Sequence, residues 1–547
     1  MACFLSACHY SIHDNTQAIA GTNVTSSELE ALLHAHIEVL ASDEFEGRAP
    51  ATPGEEKTIN WLRQQFEMLG IAPGNGDSYF QEVAVTEITT RSDAVLSLEG
   101  ANYNAALSYG EQMMVGSQRQ LDKLSITDSE MVFVGYGIVA PERNWNDYAG
   151  LDVRGKTVVI LVNDPGYATQ DESLFNGNAM TYYGRWTYKY EEAARQGAAG
   201  ALIVHETGPA GYPWEVVQGS WSGPQIGLQA DNLNIDKTTI EGWLTLAAAE
   251  SLFAGAGLNY QSVKAAAAEP GFKALNLSDI KVSVSIENSV RQSTSRNVLA
   301  VIEGTDRAAE TIIYTAHWDH LGVNPELSGD TIYNGAVDNA TGTAALLALA
   351  KLYSSAEQKP ERSIVFLAVT AEESGLLGSK WYTEHPVYPL ATTVANINMD
   401  ALNVNGSMRD IVVVGYNSSE LENYLQSAAE SQGRYLRAEP NPERGYYYRS
   451  DHFNFAKQGV PALYAESGED SVEHGEQWGA LRTQDYTDNR YHAPSDEYDP
   501  AWDLSGAVED ILLYYRVGRA LSEQSSFPNW YEGNEFKAIR DAARAGL

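Results

Sequence analysis

Residues 311–339 read TIIYTAHWDHLGVNPELSGDTIYNGAVDN, and this stretch decides the fold. The apolar, β-branched run 311–316 predicts a buried strand that delivers His317 and Asp319 to its end. A Gly-containing turn then places Asp338 just before a helical pattern. Taken alone, the stretch is a strand followed by polar residues, so its meaning depends on what stands at the ends of the other strands.

Strands and helices alternate from Thr311 to near the end of the chain. This alternation predicts an α/β fold in which a mixed, mostly parallel sheet lies between layers of helices. In such sheets, catalytic and ligand-binding residues collect at the carboxyl ends of the strands. Further strands are predicted at 362–371, 393–401, 410–417 and 460–467, and helices at 341–356 and 421–433.

Imidazole and carboxylate side chains stand where these predicted strands end and in one later loop. Zn²⁺ accepts both kinds of ligand at about 2.0–2.2 Å. Such a set would rarely assemble by chance at one edge of one sheet, so we predict a zinc site there. The predicted ligands are His317, Asp338, Glu373, Asp400 and His492.

Two zinc ions about 3.5–4 Å apart require a bridging carboxylate, because neighbouring cations would otherwise repel each other. Asp338 is placed to bridge. His317 and Asp400 then complete one metal site, and Glu373 completes the other with His492. Each residue alone has a simpler explanation, such as an acidic residue at a helix N-terminus. Their combination favours the metal site.

The neighbouring polar residues receive supporting roles. Glu372 stays uncoordinated, so it can act as general base and then as general acid. Asp319 can accept the second imidazole N–H of His317, which fixes the tautomer of the ring. Tyr491 can donate a hydrogen bond to a developing oxyanion. His320 is left without a metal role.

A resemblance to a known family is carried by the segments AHWDHLG, NGAVDNATG, TAEESGLLGS, INMDAL and YHAPSDEYD. They resemble the signature segments of the M28 family of zinc-dependent exopeptidases, and the resemblance extends from about Arg296 to near the end of the chain. It implies a phosphorylase/hydrolase-like fold, two Zn²⁺ ions held by the five ligands above, and Glu372 as the base. Every ligand position is retained, which separates the chain from receptor-like relatives that have lost their metals.

A further segment, YYYRSDHFNFAKQGVPALY at 446–464, also resembles a family pattern. The resemblance implies that its polar and aromatic residues line the substrate cleft or support it, without a ligand role. The tyrosine cluster at its start is a candidate for an aromatic side-chain pocket. The residues predicted for the cleft are Tyr447, Arg449, Asp451 and His452.

Residues 129–270 show strand, strand, helix and strand without a catalytic constellation. The segment GRWTYKYEEAARQGAAGALIVHE at 184–206 resembles the protease-associated (PA) domain, a β-rich insertion found in several exopeptidases. We therefore predict an inserted PA-like domain in this region. The predicted divisions are a tether at 1–26, the first part of the catalytic domain at 27–128, the insertion at 129–270 and the main catalytic domain at 271–547.

Hydrolysis of a peptide bond is the reaction that these groups predict. Carboxylates near the metals, among them Glu372 and Asp400, favour a free α-ammonium group, so we predict an aminopeptidase that acts on peptides. Three alternatives remain open. They are a carboxypeptidase that directs Arg444 or Arg449 at an α-carboxylate, a single-zinc transferase of the glutaminyl-cyclase type, and a non-enzymatic PA-domain binding protein.

The chain is acidic, with 73 Asp and Glu against 36 Lys and Arg and a formal charge of −37. Such a field repels nucleic acid and anionic lipid and keeps the protein soluble. The 547 residues exceed the roughly 250–300 residues at which a single core stops growing, so more than one domain is expected. No nucleic-acid partner is expected.

The N-terminus contains both cysteines of the chain, Cys3 and Cys8, so no disulfide is expected in the folded body. No apolar run reaches the ~18 residues that cross a bilayer. The residues Leu5-Ser6-Ala7-Cys8 nevertheless resemble a bacterial lipobox. This resemblance implies a signal whose start is missing, lipid attachment at Cys8, and an exported protein in the periplasm or anchored to the bacterial envelope. An ordinary N-terminus is the alternative.

Overall fold

The computed structural model of the protein describes residues 17–546. Both cysteines and the lipobox-like segment at Cys8 lie outside the described residues, so lipid attachment and export stay predictions. Within the described range, no helix combines the length and the apolar character that a bilayer crossing requires.

The first sheet is built from the predicted βα segments. Its central strands are parallel and buried, as expected for strands that helices cover on both faces. Antiparallel strands extend it on either side, and the predicted α/β class is confirmed. The strand order is Pro224–Leu228, Phe80–Thr90, Leu275–Ile302, Arg362–Val369, Arg307–His317, Thr393–Asn398, Ala462–Ser467, Asp410–Val413 and Tyr435–Ala438.

Alternate residues of the central strands enter two cores on opposite faces of this sheet. In the strand Arg307–His317, Tyr314 and Ala316 pack into the first core, whereas Ile313 packs into the second. Side chains of a strand point to opposite faces in turn, so both faces must be covered. The Ala-rich helix Gly342–Ser354 is buried along almost its whole length and fills the centre of the first core.

Helices close both cores. The first core receives apolar residues from Ser26–Leu40, Pro53–Met68, Gly342–Ser354, Leu421–Ser431 and Ser505–Glu523. The second core receives them from Leu377–Glu384 and His452–Lys457. The remaining helices of this part of the chain are Glu476–Asn489 and Lys537–Arg544.

The second sheet belongs to the middle of the chain, and we call residues 95–287, apart from the strand Pro224–Leu228 of the first sheet, the second unit. Its strand order is Tyr103–Ser108, Val95–Gly100, Leu275–Ile302, Lys123–Phe133, Thr157–Leu161, Gly200–Val204, Ile240–Leu244 and Met113–Gly116. Its helices are Pro165–Thr169, Trp186–Arg195, Thr207–Ala210, Trp214–Trp221, Leu246–Gly255 and Tyr260–Ala267.

The second unit is wider than the predicted insertion at 129–270. The strand Val95–Gly100 pairs with Leu275–Ile302, and Met113–Gly116 pairs with Ile240–Leu244. The alternating pattern of these early segments predicts strands but does not indicate which sheet they join, because their pairing partners are distant in sequence. The resemblance of the unit to a PA domain stays a prediction.

One long strand, Leu275–Ile302, belongs to both sheets. Its residues up to Glu287 pair within the second sheet, and those from Asn288 onward pair within the first. A continuous run of backbone hydrogen bonds therefore joins the two sheets.

The first described residues pack against the first core. Thr22 forms a β-bridge with Ala356, and Val24 is buried. Thr25 then caps the helix Ser26–Leu40, in a reciprocal pair of hydrogen bonds with Glu28. The end of the predicted tether at 1–26 is thus part of the folded body, because an apolar Val24 gains burial there.

Candidate metal centre

The five predicted ligands converge at the carboxyl edge of the central strands, and we call this group the metal centre. Two of them follow directly from the strand ends: His317 closes the strand Arg307–His317, and Asp400 stands two residues after Thr393–Asn398. Parallel strands end at the same edge of a sheet, so these side chains meet there. The other members are Asp338, Glu373 and His492.

Asp338 lies at the middle of the centre. Its Oδ1 is 3.2 Å from Nε2 of His317, and its Oδ2 is 3.3 Å from Nε2 of His492. The same nitrogen of His317 lies 3.1 Å from Oδ1 of Asp400, and that of His492 lies 3.0 Å from Oε2 of Glu373. Each oxygen of the Asp338 carboxylate therefore faces one histidine–carboxylate pair.

The carboxylates of the metal centre raise the pKa values of both its histidines. Burial lowers the pKa of His317, but the carboxylates of Asp400 and Glu372 outweigh burial and raise that pKa well above its usual value. Burial likewise lowers the pKa of His492, and hydrogen bonds to Asp338 and Glu373 raise it to about 10. Carboxylates outnumber histidines in this group, so the donor set is one that a divalent cation would neutralise.

Two adjacent glutamates have opposite electrostatic environments. Burial raises the pKa of Glu372 well above its usual value, with Asp400 adding to the effect against the opposing charge of His317. For Glu373, burial is overcome by hydrogen bonds from His320 and His492, which lower the pKa to about 2. Glu373 therefore stays ionised, whereas Glu372 can hold a proton. Neighbouring carboxyl groups whose pKa values are pushed apart are typical of acid–base sites.

The contacts of Asp319 differ from those expected. Nδ1 of His317 donates to the main-chain oxygen of Asp319 at 3.1 Å, whereas the Asp319 carboxylate lies 3.8 Å from that nitrogen. The carboxylate instead accepts the main-chain N–H of Glu372 at 3.1 Å. The tautomer of His317 is thus fixed by a backbone carbonyl, and the Asp319 side chain orients the segment that carries Glu372.

His320 has a contact that the sequence does not indicate. Its Nδ1 lies 2.6 Å from Oε1 of Glu373, on the opposite carboxylate oxygen from His492. The Glu373 carboxylate is therefore held from both sides. A similar support exists for Asp400, whose Oδ2 accepts a hydrogen bond from the hydroxyl of Ser450 at 2.6 Å.

Arg48 supports the metal centre through main-chain contacts, although it is not among the site residues predicted from the sequence. Its buried guanidinium donates to the main-chain oxygens of Trp318, Asn334 and Gly335 at 2.6–2.9 Å. It thereby ties the end of a central strand to the turn that carries Asp338. Burial lowers the pKa of Arg48 to about 10, against the surrounding carboxylates, so the group stays charged at neutral pH. Its sequence context resembles that of a surface arginine.

Asp496 fixes the same turn from the other side. Its carboxylate accepts the main-chain N–H groups of Val337 and Asp338 at 3.0 and 3.1 Å, and its main-chain oxygen accepts that of Ala336 at 3.1 Å. Asp496 stands four residues after His492. One loop therefore supplies a predicted ligand and also positions the predicted bridging carboxylate.

Replacing Arg48 with Met is expected to lower the free energy of unfolding by about 3–5 kcal/mol, because buried carbonyl oxygens lose their donor and nearby carboxylates lose their cation. Metal affinity should fall as well, since the turn of Asp338 loses support. Urea denaturation and zinc titration measure the two effects. Arg63→Met is the control, a surface arginine paired with Glu67, and should change stability by less than about 0.5 kcal/mol. Wild-type stability and affinity in Arg48→Met would contradict this role.

Two of the predicted cleft residues lie in the second core instead. Tyr447 and His452 are buried, and their ring centroids are 4.7 Å apart. Within the described residues, neither ring nitrogen of His452 has a hydrogen-bond partner, and burial lowers its pKa to about 3. The ring is therefore neutral. A short motif does not reveal whether aromatic residues face a cleft or a core, and here hydrophobic packing decides.

The remaining predicted residues lie around the centre. Arg449 is exposed, and its guanidinium lies 5.1 Å from the ring centre of Tyr446. Asp451 is buried near the metal centre. Its charge adds a small part to the raised pKa of Glu372, which is due mainly to burial of Glu372 itself. Tyr491 is 40% exposed, and its ring stacks on His492 with centroids 4.0 Å apart.

Comparison with known proteins gives matches to peptidases. Aminopeptidase NAALADL1 of Mus musculus is 37% identical over 125 residues, which are 22% of this chain and 15% of that protein. Aminopeptidase YwaD of Bacillus subtilis is 27% identical over 212 residues, 38% of this chain and 40% of that protein. The chain thus spans less than half the length of these curated relatives.

Among solved structures, an aminopeptidase from Aneurinibacillus sp. strain AM-1 matches with a TM-score of 0.48 and 19% identity, over 90% of this chain and 93% of that one. The model of Peptidase family M28 matches residues 297–516. That segment contains all five side chains of the metal centre together with Glu372. The chain therefore carries, in residues 297–516, a peptidase domain that belongs to family M28.

Proposed function

We propose that the protein is a zinc aminopeptidase that removes N-terminal residues from peptides with the help of two Zn²⁺ ions. The observation that carries the proposal is the position of Asp338, whose two carboxylate oxygens each face a histidine–carboxylate pair. The mixture of imidazole and carboxylate donors suits zinc, and the surplus of carboxylates suits a cationic occupant.

The ligands divide between the two ions. His317, Asp338 and Asp400 would hold the first ion, and Asp338, Glu373 and His492 would hold the second. When bound, zinc supplies Lewis-acid polarisation of water and of the scissile carbonyl. The protein supplies the remaining functions, which are proton transfer, orientation of the ligands and recognition of the peptide.

Glu372 is the group that moves the proton. Its carboxylate lies within 4.8 Å of the ligand atoms of His317 and Asp400, and its main-chain N–H is anchored to Asp319. From this position it takes a proton from the attacking water and delivers it to the departing nitrogen, which leaves as a neutral amine. Tyr491, stacked on His492, can donate a hydrogen bond from its hydroxyl group to the developing oxyanion.

The N-terminal direction is supported by the negative charge around the centre. Glu372, Asp400 and Asp451 influence one another electrostatically, and together they would attract an α-ammonium group. Both curated relatives described above are named aminopeptidases. A carboxypeptidase is the second candidate, because the exposed Arg449 could instead hold an α-carboxylate next to the scissile bond.

Elemental analysis of the purified protein, combined with Leu-Gly-Gly and N-acetyl-Leu-Gly-Gly, tests the proposal. We expect two zinc ions per chain, release of leucine from the free peptide and no cleavage of the blocked one. Metal-stripped protein is the control, and zinc should restore its activity. Release of C-terminal glycine from the blocked peptide would identify a carboxypeptidase. One zinc per chain, together with cyclisation of Gln-Gly-Gly as a third peptide, would identify a transferase. Zinc-loaded protein without turnover of any of these peptides would identify a binding protein.

A further inference from the structure

Two arginines, Arg185 and Arg449, lack an acidic partner in a chain with 73 acidic and 36 basic residues. Most other arginines pair with carboxylates or with main-chain oxygens, as Arg362 and Arg434 do. By contrast, the guanidinium groups of Arg185 and Arg449 form no hydrogen bond and no ion pair with any of the residues 17–546. Nε of Arg185 is buried without an acceptor. A buried donor without an acceptor costs free energy, which a ligand can recover.

Arg449 stands at the edge of the metal centre. It directly precedes Ser450, whose hydroxyl is bonded to Asp400. It is exposed and lies over the ring of Tyr446. A group held by Arg449 would therefore lie close to a substrate bound at the centre.

Arg185 belongs to the second unit and lies alongside the loop that carries Arg449. The loop 442–449 packs against that unit, since the main-chain N–H of Met180 donates to Pro442 at 3.1 Å. A Cβ atom on Gly445 would lie 3.5 Å from Cδ of Arg185, so the backbone of the loop runs alongside that side chain. Burial and then the repulsion of Arg449 lower the pKa of Arg185 to about 10, so Arg185 stays positively charged at neutral pH.

We propose that Arg185 and Arg449 form a subsite for a carboxylate of the peptide substrate, with one guanidinium supplied by a helix N-terminus of the second unit and the other by the loop 442–449. Two cations that repel each other without an anion between them gain stability when a carboxylate binds both. The planar guanidinium group matches the two oxygens of a carboxylate, which it binds in a bidentate manner. Because the whole protein is strongly negative, it repels free anions, so a carboxylate arrives here as part of a peptide that the metal centre also binds.

This subsite rests on the proposed peptidase function and specifies its substrates. The N-terminal residue would lie at the metal centre, and the departing part of the peptide would extend toward Arg449 and Arg185. Short peptides whose free C-terminus reaches the two arginines are therefore preferred over the same peptides with an amidated C-terminus. The side-chain carboxylate of an Asp or Glu in the departing part would supply the same chemistry.

Steady-state kinetics of the zinc-loaded protein with Leu-Ala and Leu-Ala-amide test the subsite. In Arg185→Gln and in Arg449→Gln, kcat/KM for Leu-Ala should fall about ten-fold to hundred-fold, whereas kcat/KM for the amide should change by less than about two-fold. Arg449→Lys should recover part of the loss. The control is Arg482→Gln, because Arg482 is also exposed over an aromatic ring, that of Trp478. It should not change the ratio of the two substrates.

A second pair of substrates separates the two sources of the carboxylate. Leu-Glu-amide and Leu-Gln-amide both lack a C-terminal carboxylate and differ in one side-chain charge. An arginine-dependent preference for Leu-Glu-amide assigns the subsite to side-chain carboxylates, and an arginine-dependent preference confined to Leu-Ala assigns it to the C-terminus. Equal losses for charged and uncharged substrates in the arginine variants would overturn the proposal.

Binding measurements separate a failure of the subsite from a failure of the proposed function. Leu-Ala and Leu-Ala-amide are titrated calorimetrically into zinc-loaded Glu372→Gln protein, with and without Arg449→Gln. Tighter binding of Leu-Ala that depends on Arg449 supports the subsite even if the wild-type protein hydrolyses neither peptide. Equal affinities, or no detectable binding of either peptide, would overturn the subsite even if hydrolysis occurs.

Discussion

Replacing Glu372 with Gln is expected to lower kcat on leucine p-nitroanilide by about 10²–10⁴-fold while the zinc content stays that of the wild type. Gln keeps the shape of the side chain but cannot accept a proton from the attacking water. Glu372 lies outside the set of five ligands, so the ions should keep their full coordination. Kinetics and elemental analysis of the same protein sample give both results.

The control for this experiment is Glu357→Gln. Glu357 is exposed and precedes the strand Arg362–Val369, whereas Glu372 follows the opposite end of that strand. The Glu357→Gln variant should therefore keep the wild-type kcat. An unchanged kcat in Glu372→Gln would contradict the general-base role. A loss of zinc in Glu372→Gln would make Glu372 a ligand, which its place within 4.8 Å of the ligand atoms of His317 and Asp400 would permit.

Asp338→Asn is expected to weaken zinc binding by at least about 10²-fold and to abolish turnover at limiting zinc. An amide has the same shape as the carboxylate but only one oxygen and no charge, so it cannot serve both histidine–carboxylate pairs. The two zinc ions would then repel each other without a negatively charged carboxylate between them. Zinc titration against a chromogenic chelator measures the affinity, and circular dichroism checks that the fold persists.

Asp306→Asn serves as the matched control for the bridge. Asp306 is exposed just before the strand Arg307–His317, at the opposite end from His317, so its loss should leave zinc affinity unchanged. Two zinc ions bound to Asp338→Asn with wild-type affinity would exclude Asp338 as the bridge. One ion retained and one lost would show that only one of the two histidine–carboxylate pairs depends on it.

The fold and the convergence of the site follow from local patterns in the sequence. Apolar runs locate the parallel strands, and polar residues that follow such runs must meet at one edge of the sheet. His317, Glu373 and Asp400 are therefore brought together by a rule that needs no knowledge of distant contacts. Asp338 joins them because a turn between a strand and a buried helix returns the chain to the same edge.

The supporting contacts do not follow from such patterns. Arg48 and Asp496 act on main-chain atoms of segments far away in sequence, and no local pattern reports a main-chain partner. His320 differs from His317 only in its place after the strand, although it holds Glu373. Tyr447 fills the second core because its ring gains more from burial than from exposure in the cleft. These outcomes depend on packing of the whole molecule.

The strand shared by the two sheets restricts how the two sheets can move relative to each other. A domain on a flexible linker swings about a hinge, but here the backbone ladder continues through Glu287 and Asn288 from one sheet into the other. Movement of one sheet relative to the other is therefore coupled to the twist of this strand and to the pairing of Pro224–Leu228 with Phe80–Thr90. Arg185 and Arg449 lie in the two parts of the chain that these strands connect, so we expect the spacing between their guanidinium groups to vary little.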